Sequence, residues 1–192
     1  MIKHVGVALR VTIISVVIFG LIYPLAMTGL AQLLFPWQAN GSLIGVDGNV
    51  VGSAIIGQLW TQPQYFHGRP SAAGNGYDPT QTGGTNLGPT SKKLMAATSA
   101  LIAKLEKENP DASGPPPIDL VTSSGSGIDP DISPEGAYYQ APRVAKARHL
   151  PLGTVTALIA ARVQGRTFGF LGEPRVNVLE LNLALDSFDR RH

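Results

Sequence analysis

The strongest pattern in the chain is a long apolar stretch near its start. No charged residue occurs between Arg10 and Asp47, and residues 11–34 are almost wholly apolar. As a helix, this stretch would extend roughly 36 Å at about 1.5 Å per residue, enough to cross a hydrocarbon layer about 30 Å thick. Phe35 and Trp37 follow it, at the position of an interfacial aromatic belt. The pattern therefore predicts a transmembrane helix over residues 11–34.

The alternative for this stretch is a cleaved signal peptide. Its apolar region would be about 7–15 residues long and would end at a small-residue cleavage site. The stretch is longer than that, and no clear Ala-x-Ala sequence follows it. Pro24 interrupts the helix, but membrane helices tolerate proline where neighbouring groups satisfy the freed backbone atoms. A retained anchor is the favoured interpretation.

The charges that flank the span predict its orientation. Lys3 and Arg10 precede it, and the first charge after it is Asp47. Basic residues are enriched on the cytoplasmic side of membrane helices. We therefore expect residues 1–10 to be a cytoplasmic flank, residues 11–34 to span the membrane and residues 35–192 to form an extracytoplasmic domain.

The domain begins with a predicted hairpin and continues as a long irregular segment. Asp47-Gly48-Asn49 is a turn signal between apolar runs, which indicates strands near residues 42–46 and 50–58. In residues 60–90, ten of 31 positions are Gly or Pro, and this content opposes regular structure. The segment nevertheless contains Tyr65, Phe66 and Tyr77, whereas disordered segments are poor in aromatics. We expect an ordered loop that meets a partner.

Helical and strand-like periodicities alternate in the rest of the domain. Apolar residues recur at helical spacing over 91–108 and over 151–164. Ser133 starts a further helix that runs to about His149, with Pro142 either interrupting it or starting another. Leucines at every second position from 179 to 185 predict a strand over 176–185. The predicted fold class is α+β, with one transmembrane helix followed by one soluble mixed domain.

Composition excludes several classes of chemistry. Of the 15 basic residues two precede the span, so the domain carries 13 basic and 13 acidic residues and no basic patch for nucleic acid. The chain has no cysteine, and no histidine has a partner at i+3 or i+4, so no metal site is predicted. No Gly-x-x-x-x-Gly-Lys-Ser/Thr sequence supports a nucleotide site. The histidines are His4, His67, His149 and His192.

One segment contains candidate nucleophiles. Residues 123–127 read Ser-Ser-Gly-Ser-Gly, and Ser124 or Ser126 with Asp129 and His149 would complete a triad. The hydrolase elbow Gly-x-Ser-x-Gly, with its strand before and helix after, is not matched. A Gly/Ser turn whose hydroxyls bond the local backbone is therefore favoured over a membrane-anchored periplasmic serine hydrolase.

Four arginines lie in or beside irregular segments, and two roles remain open for them. Each side chain is predicted to pair inside the domain with an acid such as Asp78, Asp129 or Glu173, or to dock a partner. The arginines are Arg69, Arg143, Arg148 and Arg175.

An ordered set of motifs resembles one family over nearly the whole chain. The first half contains GSAIIGQ at 52–58, YFHGRPSA at 65–72, YD at 77–78 and NLGP at 86–89. The second half contains DLVTSSGSGIDPDISPEGA at 119–137, RVAKAR at 143–148 and GEPRVNVLELNLALD at 172–186. Together with the single span, these resemble the C subunit of the Kdp potassium-transporting ATPase. Ser123 stands where that family usually has Ala.

The resemblance implies an accessory, non-catalytic subunit of a bacterial inner-membrane complex that hydrolyses ATP to import potassium. It implies three partners: a channel-like potassium-binding subunit, a P-type ATPase subunit and a very small peptide subunit. The family's C subunit is needed for assembly and is described as a catalytic chaperone that raises the ATP affinity of the ATPase subunit. ATP and potassium thus belong to the complex, and no cofactor is assigned to this chain.

The expected topology restricts this chaperone role. ATP is cytoplasmic and the domain is expected outside, so the domain would act only by shifting conformational populations through the partners' spans. We expect it to cap the outer mouth of the channel-like subunit. A solitary anchored binding protein is the third alternative. The predicted partner-interface residues are Tyr65, Phe66, Arg69, Asn86, Ser126, Asp129, Arg143, Glu173 and Arg175.

Topology is directly testable in cells. Protease added to intact spheroplasts should digest the domain, because the flanking charges place it outside the cytoplasm. Immunoblotting against a C-terminal tag measures this. Survival of the domain until the cells are lysed would reverse the orientation.

Overall fold

The computed structural model describes residues 2–190 of the chain. Met1, at the start of the predicted flank, and His192, at the end of the predicted domain, lie outside these residues. The chain divides into two compact units between Val51 and Gly52. Helices dominate both units and small antiparallel sheets complete them, so the predicted α+β class is confirmed.

The first unit consists of a long apolar helix and most of a short hairpin. Helix α1 covers Ile2–Ser15, a π-helical turn covers Val16–Ile22 and α2 covers Tyr23–Leu34. Among the described residues, His4–Leu34 is the one helix long and apolar enough to cross a membrane, judged by length and composition. Helix α3, Pro36–Ala39, follows it.

The π-helical turn lies directly before Pro24. Proline has no N–H to donate to the carbonyl four residues earlier, so the series of α-helical backbone hydrogen bonds is interrupted there. The Tyr23 N–H instead reaches the Ile18 carbonyl, five residues back. The proline therefore does not end the helix. A π-helical turn accommodates it, and the helical segment stays continuous.

The predicted hairpin is confirmed, with a shorter second strand. Strand β1 covers Leu43–Val46 and β2 covers Asn49–Ser53. Asp47 and Gly48 both have positive φ, at 52° and 81°, as a two-residue type I′ turn requires. The strand stops at Ser53 rather than at residue 58 because the chain turns back there, where Ser53 bridges Ile56.

The second unit builds its core from helices packed around a small sheet. The sheet order is β3-β5-β4, antiparallel throughout, with Asp131 opposite Asn177 and Val163 opposite Val176. Its elements are α4 (Lys92–Glu108), α5 (Ile118–Val121), β3 (Asp131–Ile132), α6 (Pro134–Arg148), α7 (Leu152–Arg162), β4 (Val163–Gln164), β5 (Arg175–Asn177) and α8 (Val178–Asp189).

Three predicted helices are confirmed with small changes at their ends. The Ser91 and Ser133 hydroxyls cap α4 and α6 by accepting from the N–H groups of Leu94 and Gly136. Helix α6 continues through Pro142 to Arg148. Helix α7 ends at Arg162, because the next two residues pair with β5.

The predicted strand over residues 176–185 is wrong for most of its length. Only Arg175–Asn177 form a strand, and Val178–Asp189 form α8. The Asn177 side chain caps this helix by accepting from the Glu180 N–H at 3.1 Å. Leucines at every second position are compatible with a helix here because α8 is buried over a wide face, which leaves Leu183 only half-buried.

The core of the second unit includes two polar side chains from its helices. Asn182 on α8 and Gln140 on α6 are fully buried, beside apolar neighbours such as Val144, Leu181 and Leu185. Burying an amide without hydrogen bonds is costly. Both amides bond to the backbone of the irregular segment, so the segment and the core are one packed structure.

Asn182→Ala should therefore destabilise the protein strongly. It leaves the buried N–H and C=O of Phe66 without partners, and we expect the free energy of unfolding to fall by about 2–4 kcal/mol. Denaturant unfolding of the full chain in detergent, followed by circular dichroism, measures this. The matched control is Leu183→Ala, whose side chain is half-buried and which should cost about 1 kcal/mol. Equal effects of the two variants would contradict the proposed anchoring.

Candidate partner interface

The irregular segment of residues 60–90 is ordered by side chains that bond to its backbone. It contains no helix or strand in the structure. The Phe66 N–H donates to Asn182 Oδ1 at 2.8 Å, and Asn182 Nδ2 donates to the Phe66 carbonyl at 3.0 Å. Gln140 makes the same pair of contacts with the N–H and carbonyl of His67, at 2.8 and 3.1 Å. These amides replace the partner strand that the segment lacks.

Arg143 holds the start of the same segment from inside the domain. Its side chain is only 9% exposed. The guanidinium donates to the carbonyls of Pro63 and Tyr65, and to the side-chain oxygens of Gln140 and Asn109, at 2.5–3.0 Å. Burial lowers the pKa of Arg143 to about 10, which leaves it charged at neutral pH. Its acceptors are carbonyl and amide oxygens, so the predicted ion pair is replaced by a network of charge-assisted hydrogen bonds.

Arg148 fastens the segment at Gln64 and Tyr65. Its Nε donates to the Gln64 carbonyl at 2.7 Å, and its guanidinium lies over the Tyr65 ring, 4.9 Å from the centroid. The other nitrogens pair with Asp186, at 2.7 Å, and with Asp189. The internal ion pair predicted for an arginine of this set is confirmed here, although with acids from α8.

Arg69 joins the segment to the Gly/Ser loop of residues 122–130. Its Nη1 donates to Asp129 Oδ2 at 2.9 Å, and its Nη2 lies 3.5 Å from the carbonyls of Thr122 and Ser123. The predicted internal pairing with Asp129 is confirmed. The pair is half-buried, so it is less screened than a surface pair.

Backbone contacts continue this junction. The Ser71 hydroxyl donates to the Gly127 carbonyl at 2.5 Å, and the Gly83 N–H donates to the Ser126 carbonyl at 2.8 Å. The Tyr77 hydroxyl donates to the Arg69 carbonyl at 2.6 Å, and burial, with a smaller effect of Asp129, raises the pKa of Tyr77 to about 12. Residues 60–90 and 122–130 thus form one continuous surface, called here the joined loops.

The joined loops contain most of the predicted interface residues. Asn86 and Ser126 are exposed on them, and Tyr65, Arg69 and Asp129 are half-buried. Phe66 and Arg143 lie beneath as buried supports, so a partner cannot touch the Phe66 side chain directly. That these loops contact a partner stays a prediction.

Two predicted interface residues lie elsewhere in the unit. Arg175 is on β5 and pairs with Asp131 at 3.1 Å, and Glu173 lies in the connection before β5 and pairs with Arg166 at 2.7 Å. They were predicted as interface residues because they lie beside glycine, proline and acidic residues in the sequence.

The serines of the Gly/Ser loop bond to their own backbone. Ser124 Oγ accepts from the Gly127 N–H at 2.9 Å, and Ser126 Oγ accepts from the Ile128 N–H at 3.2 Å. Within the described residues, the His149 ring makes no hydrogen bond with either serine, and His149 itself is the left-handed residue that ends α6. The favoured turn interpretation is confirmed, and the triad of the hydrolase alternative is not assembled.

A cleft of about 460 Å³ lies beside the joined loops. The loop residues from Leu59 to Tyr77 and helix α4 line it, with Lys104 and Glu108 among the α4 residues. His67 also lines the cleft, with its Nδ1 3.9 Å from a Glu108 oxygen, and burial lowers its pKa. Among residues 2–190, no group of three His, Asp or Glu side chains is placed to hold a metal ion.

The sequence analysis missed one exposed feature. The connection between β4 and β5 carries Phe168, Phe170 and Leu171, which are 84%, 69% and 49% exposed. The uncharged run Thr-Phe-Gly-Phe-Leu-Gly at 167–172 is the signal that could have identified it. Glycine at 165, 169 and 172 would have indicated turns around the aromatic residues.

Fold and site together define a class of protein: a chain with one candidate membrane helix and a small α+β unit that presents fastened loops. The family model described as KdpC: K+-transporting ATPase, c chain, matches residues 5–187, and the chain belongs to this family. The resemblance predicted from the ordered motifs is thereby confirmed.

Curated relatives match over almost their whole length. The chain is 60% identical to the potassium-transporting ATPase KdpC subunit of Myxococcus xanthus over 93% of this chain and 85% of the relative. It is 57% identical to the KdpC subunit of Acidobacterium capsulatum, over 96% of this chain and 98% of the relative. It is 54% identical to the KdpC subunit of Methylobacterium nodulans, over 97% of this chain and 98% of the relative.

Gly127→Ala should break the junction of the joined loops. Gly127 has φ +72°, and an added Cβ would lie 2.7 Å from the Gly83 carbonyl oxygen and 2.8 Å from Ala73 Cβ. We expect a loss of roughly 2–4 kcal/mol in the free energy of unfolding. The control is Gly153→Ala on α7, where nothing lies within 4 Å, and which should be neutral or stabilising by less than about 1 kcal/mol. Unfolding curves in detergent compare the two, and equal stabilities would show that the loops do not need this close approach.

Proposed function

We propose that this chain is the accessory, non-catalytic subunit of a high-affinity potassium-importing ATPase complex, and that its joined loops dock another subunit. Membership of the KdpC family supports the complex. The observation that carries the docking role is that Arg69 joins two irregular loops into one surface, while Arg143 and the buried amides hold residues 60–90 to the core. Among the described residues of that surface, no serine hydroxyl is hydrogen-bonded to a histidine ring that could act as its base.

The proposed topology is a single pass through the bacterial inner membrane. Residues 1–10 lie in the cytoplasm, residues 11–34 span the bilayer and residues 35–192 lie outside. The apolar helix His4–Leu34 and the basic residues before residue 11 support this arrangement.

The joined loops suit docking because they are ordered before a partner arrives. Ordering loops and side chains during association costs free energy that subtracts from affinity. Here that ordering is achieved by the fold itself, through contacts with α6 and α8. The exposed groups of the loops are mainly polar and uncharged, including Thr80, Gln81, Asn86 and Ser126. We propose that they cap the outer mouth of the channel-like subunit.

An effect on ATP affinity is compatible with this placement only if it is indirect. The nucleotide binds on the cytoplasmic side, and the domain is proposed to lie outside. By binding one conformation of the partner subunits more tightly than another, the domain changes the populations of both, and ATP affinity follows by linkage. The chain then acts as a catalytic chaperone without contacting ATP.

Arg69→Ala should weaken assembly. It removes the ion pair between the two loops while the buried core stays in place, so the docking surface is held less firmly in shape. The tagged full chain is co-expressed with the other subunits, purified in mild detergent and examined for the ATPase and channel-like subunits in the eluate. We expect wild type to retain both, and the variant to retain roughly tenfold less, the effect of about 1.4 kcal/mol.

The matched control is Lys146→Ala, which removes a cation from an exposed pair with Asp111 on the same unit. It should leave recovery unchanged, because exposed pairs contribute little. Equal recovery with Arg69→Ala and wild type would contradict the role of the joined loops. Purification of the wild-type chain alone would contradict the complex and favour a solitary anchored binding protein.

A further inference from the structure

The connection between β4 and β5 ends in a protruding aromatic tip, defined here as residues 167–172. The N–H of Thr167 donates to the carbonyl of Leu171, and the N–H of Leu171 donates to that of Thr167, both at 2.9 Å. This small ladder holds Phe168 and Phe170 at the end of the connection, away from the core. The tip is therefore a defined turn that exposes two aromatic rings.

The backbone of Phe168 is also in an unfavourable conformation. Its φ is +54°, in the left-handed region where a bulky residue is uncommon. Gly or Asn would fit there with less strain. Because the ring is exposed, packing inside the domain does not compensate for this strain. Strain of this kind, kept at an exposed position, points to a contact outside the domain.

The exposed area limits what the tip can bind. From their exposed fractions, the two phenylalanines present roughly 300 Å² of surface. A stable protein–protein interface buries about 800 Å² on each partner. Two tips that met in a dimer of this chain would fall well below that. The tip is instead of the right size for an anchor within a larger interface, where a few aromatic residues supply most of the binding energy.

Charges around the tip argue against a lipid surface as the occupant. Binding to anionic headgroups is favoured by clusters of unpaired Lys and Arg. Each arginine of residues 162–175 has an acid within 4.0 Å: Arg162 has Glu180, Arg166 has Glu173 and Arg175 has Asp131. The surroundings of the tip are thus neutralised, which suits an apolar pocket in a protein.

We propose that the aromatic tip inserts into an apolar pocket on an integral membrane subunit of the same potassium-transporting ATPase, as a second contact besides the joined loops. This rests on the proposed function, which supplies the partner subunit. Phe168 is the central anchor, and Phe170 and Leu171 flank it.

Photo-crosslinking in the assembled complex tests the occupant. Phe168 is replaced with p-benzoylphenylalanine, which keeps an aromatic ring at the tip, and Ala160, exposed on α7, is replaced likewise as the control. After irradiation of the purified complex, we expect an adduct with another subunit from position 168 and none from position 160. An adduct with lipid alone, or no adduct from position 168 in an intact complex, would overturn the proposal. Failure of the wild-type complex to form would remove the proposed function and this inference together.

A paired substitution separates docking from folding. Phe168→Asn relieves the backbone strain, so the melting temperature of the variant chain should be unchanged or higher. Its affinity for the complex should fall by roughly 30-fold, as for an interface hot spot. Ile118→Ser, which removes an equally apolar side chain that is 73% exposed elsewhere, should leave affinity unchanged. Unaltered affinity with Phe168→Asn, measured by subunit exchange in detergent, would refute the docking role.

Discussion

The structure depends on buried polar side chains that satisfy the backbone of an irregular segment. Residues 60–90 form no strand or helix, so each buried N–H and carbonyl needs another partner. Asn182, Gln140 and Arg143 provide these partners from α6 and α8. Their position inside the domain turns a glycine- and proline-rich segment, which would otherwise be costly to order, into a fixed surface.

Three arginines of the domain fasten its loops from different positions. Arg143 and Arg148 are supports: their guanidinium groups bind loop carbonyls from within and, for Arg148, two acids of α8. A planar, always charged group with five donors is suited to holding several carbonyls at once. Arg69 does the same for the Gly/Ser loop but lies nearer to solvent. We therefore expect substitutions at these positions to act through the shape of the surface.

Two distinct surfaces then emerge on one small domain, polar joined loops and an apolar tip. The first is mainly polar, ordered and broad, and the second is small, aromatic and strained at Phe168. In protein–protein interfaces a few aromatic anchors supply much of the affinity and polar groups surround them, so this combination suits the docking proposed for the chain. In the proposed topology, the apolar helix His4–Leu34 also anchors the chain in the membrane.

The sequence by itself determined the elements whose signals are local. The apolar helix, the Asp-Gly hairpin, the serine caps of α4 and α6 and the family membership all follow from residue order.

Tertiary structure decided the rest. The alternating leucines of α8 were compatible with a strand until the Asn177 cap and burial on a wide face selected the helix. The pairing of Arg69 with the Gly/Ser loop and the burial of Phe66 join residues about 60 and 116 positions apart in sequence. Local patterns cannot specify such contacts, because they are selected by the packing of the whole core.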